Sequence, residues 1–405
     1  MPMFRNLRLD ASDLRGLTRL AAEATVGVTD LVEAVHHAIR HPVASRAGLR
    51  PVRGRGLKGG IYKAIRTLAR TVGQGLEAAL TPCPAASPGC GPLRAALNGV
   101  VGDHLASTGN PLALDMSFQY EGQTLILETA DLAAAIPQPG TRMLLLIHGL
   151  CLDDQHWTRE SHGQDAALAR DLGATLLHLR YNSGLHISTN GRALADRLET
   201  LLARWPEPVE HLAILAHSMG GLLARSACHH AQASGQAWLG SLRHLIFLGT
   251  PHHGSPLERW GHLLERGLAA SPFTSAFTRL GELRSAGITD LRHGNLLDQD
   301  WQGHEPSAHD RDTRQPVPLP EGVCCCAIAA MTGAPGGSLK GRWLGDGLVP
   351  VDSALGRHRE ARRRLAFPED RVWIGRGMNH VDLLARPEVY AQIRRWLTGP
   401  AGASP

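Results

Sequence analysis

The chain has 405 residues, a formal charge of +5, 43% hydrophobic residues and 4% aromatic residues. This apolar content excludes a chain that is disordered throughout, and the 45 Gly and 25 Pro, scattered without a period, exclude collagen-like and coiled-coil proteins. At roughly 100–200 residues per domain, the length predicts two or three domains, or one large α/β domain with additions.

The positive charge is concentrated at the N-terminus. Residues 1–75 carry 13 basic and 5 acidic side chains, and nine basic residues but no acidic one lie between Arg40 and Arg70. A polyanionic partner would therefore be expected to bind the N-terminal segment rather than the rest of the chain.

The compartment is predicted to be cytoplasmic. No secretory signal follows Met1–Asp10, and no run of 18 apolar residues predicts a transmembrane helix. Seven cysteines, three of them adjacent, make a poor disulfide framework. Cys83 and Cys90 flank a Pro/Gly loop where pairing is conceivable, whereas Cys324–Cys326 lie in an apolar run and are expected to be small core residues.

The first hundred residues are predicted to form a separate helical segment. Apolar steps of three and four indicate an amphipathic helix from Asp13 to Arg40, closed by Pro42, and a second from Ile61 to Leu80 with a basic polar face. We place the domain boundary near residue 100, which leaves residues 101–405 for a second domain.

From there the pattern alternates between strands and helices, which predicts a mostly parallel, doubly wound sheet. A hairpin is expected around Glu121-Gly122, and helices are expected over 163–172, 192–204, 220–231 and 387–397. The predicted sheet strands are Met143–Ile147, Thr175–Leu179, Leu212–Leu215, Leu245–Leu248, Val323–Ala329 and Arg371–Ile374.

One hexapeptide has the sequence context of a nucleophile elbow. It is Ala216-His217-Ser218-Met219-Gly220-Gly221, which follows a predicted strand and precedes a predicted helix. Small residues two positions before and after Ser218 allow the tight turn that exposes the hydroxyl, and the helix N-terminus favours negative charge there. The alternative is an ordinary helix N-cap serine.

Three further loops follow predicted strands. His148-Gly149-Leu150 follows Met143–Ile147, and the backbone N–H groups of Leu150 and Met219 together are predicted to form an oxyanion hole. Asp346 lies between two glycines and His380 follows Asn379. Each alone would be a turn or surface residue, but the order Ser218, Asp346, His380 is the order of the hydrolase triad in a strand-alternating fold.

With these motifs, residues of about 115–398 resemble the α/β-hydrolase superfamily, in particular its bacterial lipases and esterases. The segment Gly249-Thr250-Pro251-His252-His253-Gly254-Ser255 is also similar to lipase-like deacylases related to GPI inositol deacylase. Ala216 replaces the usual first glycine of the elbow motif. Nothing in the resemblance covers residues 1–100.

The resemblance implies a serine carboxylic-ester hydrolase that acts on an acyl lipid or another small ester through an acyl-enzyme, without a cofactor. Ser218 would be the nucleophile, His380 the base and Asp346 its orienting partner. Some bacterial lipases bind Ca²⁺ near the catalytic histidine, which makes Asp382 a calcium candidate, the alternative being a loop cap. Residues 256–320 would form a cap or lid, or else a packed helical excursion.

Several alternatives stay open. A thioesterase, amidase or acyltransferase would use the same triad, and a non-catalytic membrane-associated scaffold would be expected to have lost part of it. The N-terminal helices, residues 11–80, are expected either to pack on the hydrolase domain or to contact an anionic membrane surface. Nucleic acid is not expected, since no recognition motif is present and aromatic residues are scarce.

Overall fold

A computed structural model of the protein describes residues 15–16, 18–20, 91–256, 285–303, 312–332 and 345–399. Almost all of the two predicted N-terminal helices lies outside these ranges, as do Cys83, Cys90 and most of the predicted lid. The lid, the N-terminal extension and its membrane contact therefore remain predictions.

The described chain contains one eight-stranded sheet in the order β2-β1-β4-β3-β5-β6-β7-β8. The hairpin β1–β2 pairs antiparallel to β4 through β1, and all strand pairs from β4 to β8 are parallel. The predicted mostly parallel, doubly wound sheet is thus confirmed. The strands are Ser117–Tyr120 (β1), Gln123–Thr124 (β2), Arg142–Ile147 (β3), Thr175–Arg180 (β4), His211–His217 (β5), Leu242–Leu248 (β6), Cys324–Met331 (β7) and Val372–Arg376 (β8).

Helices connect most of the parallel strands, as crossovers in a parallel sheet require. Those in the described ranges are Gly91–Ser107 (α1), Thr129–Ala135 (α2), Asp154–Ser161 (α3), Gln164–Leu172 (α4), Ile187–Arg204 (α5), Met219–Ser234 (α6), Ala286–His293 (α7), Val351–Ala354 (α8), Asp382–Ala385 (α9) and Pro387–Thr398 (α10). Within the same ranges no helix has both the length and the apolar character that are needed to span a bilayer.

The core lies on both faces of the sheet because successive strand residues point to opposite sides. On β3, Leu145 and Ile147 join one apolar cluster, and Leu144 and Leu146 join the other. The adjacent cysteines follow the same alternation: Cys325 packs with the first cluster and Cys326 with the second. Cys325 and Cys326 are buried as small core residues, as expected, whereas Cys324 at the start of β7 is only half-buried.

The described residues fall into two compact units. The smaller comprises residues 15–20, without 17, and 105–113, where the Asn110 side chain donates to the Gly16 carbonyl over 3.2 Å. The larger contains the sheet together with residues 91–104 of α1. The predicted boundary near residue 100 falls inside α1, and the division into domains stays a prediction.

Within the larger unit, α1 supports the loop after β3. A Cβ placed on Gly99 would lie 2.2 Å from Cys151 Sγ and one on Gly102 would lie 1.9 Å from Asn182 Oδ1, so these two positions accept no side chain without displacement. The Asn182 amide also donates to the Gly102 carbonyl over 2.8 Å. This close approach fixes the segment that follows His148-Gly149-Leu150.

Candidate active site

Ser218 occupies a strained turn between β5 and α6. Its φ of 56° and ψ of −125° lie in a region that residues with a side chain rarely adopt. The glycines that follow are required by space: a Cβ on Gly220 would lie 2.6 Å from the His148 carbonyl oxygen, and one on Gly221 would lie 2.0 Å from Thr250 Oγ1. The packing of α6 against β3 and β6 therefore maintains the turn that presents the serine.

Asp346 and His380 form a buried pair. The imidazole Nδ1 lies 2.7 Å from Asp346 Oδ2, and the His380 backbone N–H donates to the Asp346 carbonyl over 3.1 Å. The other carboxylate oxygen accepts the N–H groups of Leu348 and Val349 over 2.9 and 2.8 Å. Since a carboxylate only accepts, His380 Nδ1 is the donor of this bond, and in the neutral form of the ring Nε2 is the acceptor.

Two contacts place the His380 side of this pair beside the elbow. The His217 and His380 rings lie 4.7 Å apart between centroids, and His217 Nε2 lies 3.2 Å from the His380 carbonyl oxygen. The Ser218 hydroxyl is buried and has no hydrogen-bond partner in the described part of the chain. All three predicted triad residues are thus in one buried region, although no hydrogen bond joins the serine to the histidine.

Gly249 separates the end of β6 from the pair. Its φ is +59°, and a Cβ there would lie 3.1 Å from His380 Cε1 and 3.2 Å from Asp346 Oδ2. The sequence identified the Gly249 segment as a family motif but assigned it no role. Its contact with the Asp346–His380 pair gives a physical reason for glycine at that position.

The His148-Gly149-Leu150 segment lies on the other side of the serine. A Cβ on Gly149 would lie 2.9 Å from Ser218 Cβ. Among the described residues, the backbone N–H groups of Leu150 and Met219 donate to no other backbone carbonyl, and both residues are buried. The segment predicted to supply one oxyanion donor therefore lies against the turn that is predicted to supply the other.

Tyr181 holds this segment and was not found from the sequence. Its hydroxyl donates to the His148 carbonyl over 2.9 Å, and its ring stacks on the His148 imidazole with centroids 4.4 Å apart. His148 Nδ1 in turn lies 2.9 Å from the Gly149 carbonyl oxygen. The sequence gives no sign of this role, because Tyr181 lies 33 positions from His148 and only the fold brings the two residues together.

The histidines around the elbow are held neutral by burial. Burial lowers the pKa of His148 and lowers that of His217 well below its ordinary value, the latter also because of the nearby His380. Burial together with the Arg159 charge lowers the pKa of His156 to about 4. Removing a charge from water costs more than removing a neutral ring, which explains all three directions.

Asp382 caps a turn. Its carboxylate accepts the Asn379 N–H over 2.8 Å, while the Asn379 side chain accepts the N–H groups of Val381 and Asp382. In the described residues, no group of three His, Cys, Asp or Glu side chains is arranged to hold a metal ion. Nothing in this part of the structure adds ligands to the calcium candidate.

The sheet topology, with the elbow serine after its central strand, defines an α/β-hydrolase fold. Residues 145–313 match a family model described as the PGAP1-like alpha/beta domain, which confirms the predicted resemblance to lipase-like α/β-hydrolases. No curated protein matches the chain significantly.

Solved structures similar to the chain include lipases and an esterase. They are Bacillus licheniformis lipase BlEst2 in its mature form (18% identity, 65% of this chain, 95% of that chain, TM-score 0.43), Aspergillus fumigatus lipase B (13%, 66%, 57%, 0.38) and a Pyrobaculum calidifontis esterase (16%, 66%, 80%, 0.35).

Proposed function

We propose that this protein is a serine carboxylic-ester hydrolase that cleaves acyl esters. The observation that carries the proposal is the burial, in one region, of a serine on a strained elbow, a histidine paired to a carboxylate over 2.7 Å, and a His148-Gly149-Leu150 segment whose Gly149 lies against the serine. A surface serine or a capping serine would need none of this strain.

The proposed reaction begins when Ser218 Oγ attacks the ester carbonyl carbon and its proton passes to His380 Nε2. The carbonyl oxygen becomes an oxyanion that accepts the Leu150 and Met219 N–H groups, where each donor contributes about 3–4 kcal/mol in enzymes of this kind. The bond to the alcohol then breaks, and the alcohol leaves with the proton from His380. An acyl-Ser218 ester remains.

Water completes the proposed cycle. His380 Nε2 takes a proton from the water, whose oxygen attacks the acyl carbon, and the proton returns to Ser218 Oγ as the acid leaves. Asp346 keeps the Nδ1 proton in place and stabilises the imidazolium that forms in each half. These steps require neither a metal ion nor an organic cofactor.

Hydrolysis of p-nitrophenyl butyrate by the purified protein tests the proposal. We expect Ser218→Ala to lower kcat by about 10⁴-fold or more. Ser234→Ala changes an exposed serine at the end of α6, so it should keep wild-type activity and serves as the control. Equal rates for the wild type and Ser218→Ala would contradict the proposal.

The bond that is cleaved needs its own measurement. An ester, a thioester and an anilide of the same butyryl group share the acyl half and differ in the leaving group. We expect the ester to have the highest kcat/KM. A higher value for the thioester or the anilide would identify a thioesterase or an amidase that uses the same residues, and transfer to an added alcohol in place of water would identify an acyltransferase.

A further inference from the structure

A second candidate site, partly open to solvent, lies in the same unit as the sheet and is formed by residues that the proposed reaction does not use. It is a cavity of about 280 Å³ between α6, the segment after β6 and the chain around residues 314–318 and 362–365. Among the described residues, five arginines line it and no acidic residue does: Arg225, Arg314, Arg362, Arg363 and Arg364. We call it the arginine cavity.

Arg225 is the buried centre of the arginine cavity. Only 4% of this residue is exposed, and in the described part of the chain its guanidinium has no ion pair. One Nη donates to the Val317 carbonyl, the other lies 3.4 Å from His252 Nδ1, and Nε is buried without a partner among described residues. A buried guanidinium is ordinarily paired with an anion.

His252 adds a second unused donor. Burial and the neighbouring Arg225 lower the pKa of His252 well below its ordinary value, so the ring is neutral. Because Arg225 only donates, His252 Nδ1 is the acceptor of their contact and the ring proton lies on Nε2. This nitrogen is buried and has no partner in the described residues.

The nearby carboxylates are occupied elsewhere. Asp300 accepts the backbone N–H groups of Leu296, Leu297 and Gln315. Asp312 lies between Arg314 and Arg363, and Glu360 between Arg362 and Arg363. Among the described groups, these acids hold the outer arginines in place but leave Arg225 without a counter-charge.

From these contacts we infer that the arginine cavity binds a phosphate group, either free phosphate or the phosphate of a small ester. Guanidinium groups match phosphate oxygens in a planar fork, and a neutral imidazole N–H adds a further donor. The site is distinct from the elbow: Arg225 is seven residues after Ser218 on α6, a rise of about 10 Å along the helix.

Titration calorimetry at constant ionic strength tests the inference, with inorganic phosphate, glycerol 3-phosphate and acetate as probes of the wild-type chain. We expect both phosphates to bind at least tenfold more tightly than acetate. Tighter binding of inorganic phosphate would indicate free phosphate as the ligand, and tighter binding of glycerol 3-phosphate would indicate a phosphate ester. Absent binding of both, or acetate binding as tightly, would overturn the inference.

Variants locate the binding. Arg225→Met keeps much of the side-chain length without its charge and should weaken phosphate binding at least tenfold. Arg204→Gln changes an arginine whose ion pair with Glu128 is largely exposed, and it should bind phosphate like the wild type. If Arg225→Met lacks the wild-type circular dichroism spectrum, the Kd for phosphate is measured instead on Arg362→Gln, which changes an arginine at the cavity's exposed rim. An unchanged Kd in the folded cavity variant would overturn the inference.

Discussion

Gly249→Ala should displace the Asp346–His380 pair of the proposed active site without changing any reacting group. The added Cβ would lie 2.8 Å from Leu383 Cδ1, 3.1 Å from His380 Cε1 and 3.2 Å from Asp346 Oδ2, where ordinary contacts begin at 3.4 Å. The Leu383 side chain must therefore move, and the imidazole must shift by a few tenths of an ångström. Since a misplacement of about 1 Å costs about 100-fold in catalysis, we expect kcat for p-nitrophenyl butyrate to fall about 10-fold or more.

The chain offers a matched control for the backbone strain that this substitution also introduces. Gly173 has the same φ of +59°, but a Cβ there would meet nothing within 4 Å. Gly173→Ala should therefore lose about 1–2 kcal/mol of unfolding free energy in urea titrations, and Gly249→Ala should lose that amount and more, because its Cβ also meets the buried Leu383 side chain. Only Gly249→Ala should lose activity, and equal kcat values for the two variants would refute the placement of His380.

Three other predictions concern the same region. Asp346→Asn should lower kcat about 10³–10⁴-fold, because the amide can donate to Nδ1 and favour the wrong tautomer of His380; a loss below tenfold would contradict this. Ser218→Gly should have a free energy of unfolding about 1–3 kcal/mol higher than that of Ser218→Ala, because glycine adopts the φ of 56° without strain; equal free energies in urea titrations would show that the turn is unstrained. The pKa of His156 is lowered to about 4 in the folded protein, so as the pH falls the histidine is protonated in the unfolded chain first. This residue should therefore lower the wild-type free energy of unfolding by about 3 kcal/mol between pH 6.5 and about 4. His156→Gln should reduce that fall, and parallel pH profiles of urea stability would contradict the assignment.

The strands of the sheet were predictable because burial on both faces demands continuous apolar runs. Met143–Ile147 is such a run, and β3 spans Arg142–Ile147. The elbow was predictable for a related reason, since Ser218 needs small neighbours that the sequence displays. For the parallel strands β3 to β8, each predicted end lies within three residues of the observed end.

Helix α3 could not be predicted in the same way. Its sequence, DQHWTRES, has a single large apolar residue, Trp157, whose indole N–H donates to the Tyr390 hydroxyl over 3.0 Å. Asp154 at its start pairs with Arg180 on β4 through bonds of 2.7 and 3.1 Å. These partners are distant in sequence, so no local pattern reveals them.

The candidate site also contains residues that the sequence could identify and residues that it could not. Chain order and loop context were enough to select Ser218, Asp346 and His380, but the 2.7 Å bond joins residues 34 positions apart and follows only from the sheet. The roles of Tyr181 and of Arg225 were missed, because a tyrosine after a strand or an arginine within a helix is ordinary until its burial and partners are known.

Covalent labelling is the most direct test of the central claim that Ser218 is an activated nucleophile. The folded full-length protein is incubated with a fluorophosphonate, and the adduct is counted by intact-protein mass spectrometry and located by peptide mapping. We predict one adduct per chain, on Ser218, and none on Ser218→Ala. Absent labelling of the folded wild type, or equal labelling of Ser218→Ala, would contradict the account.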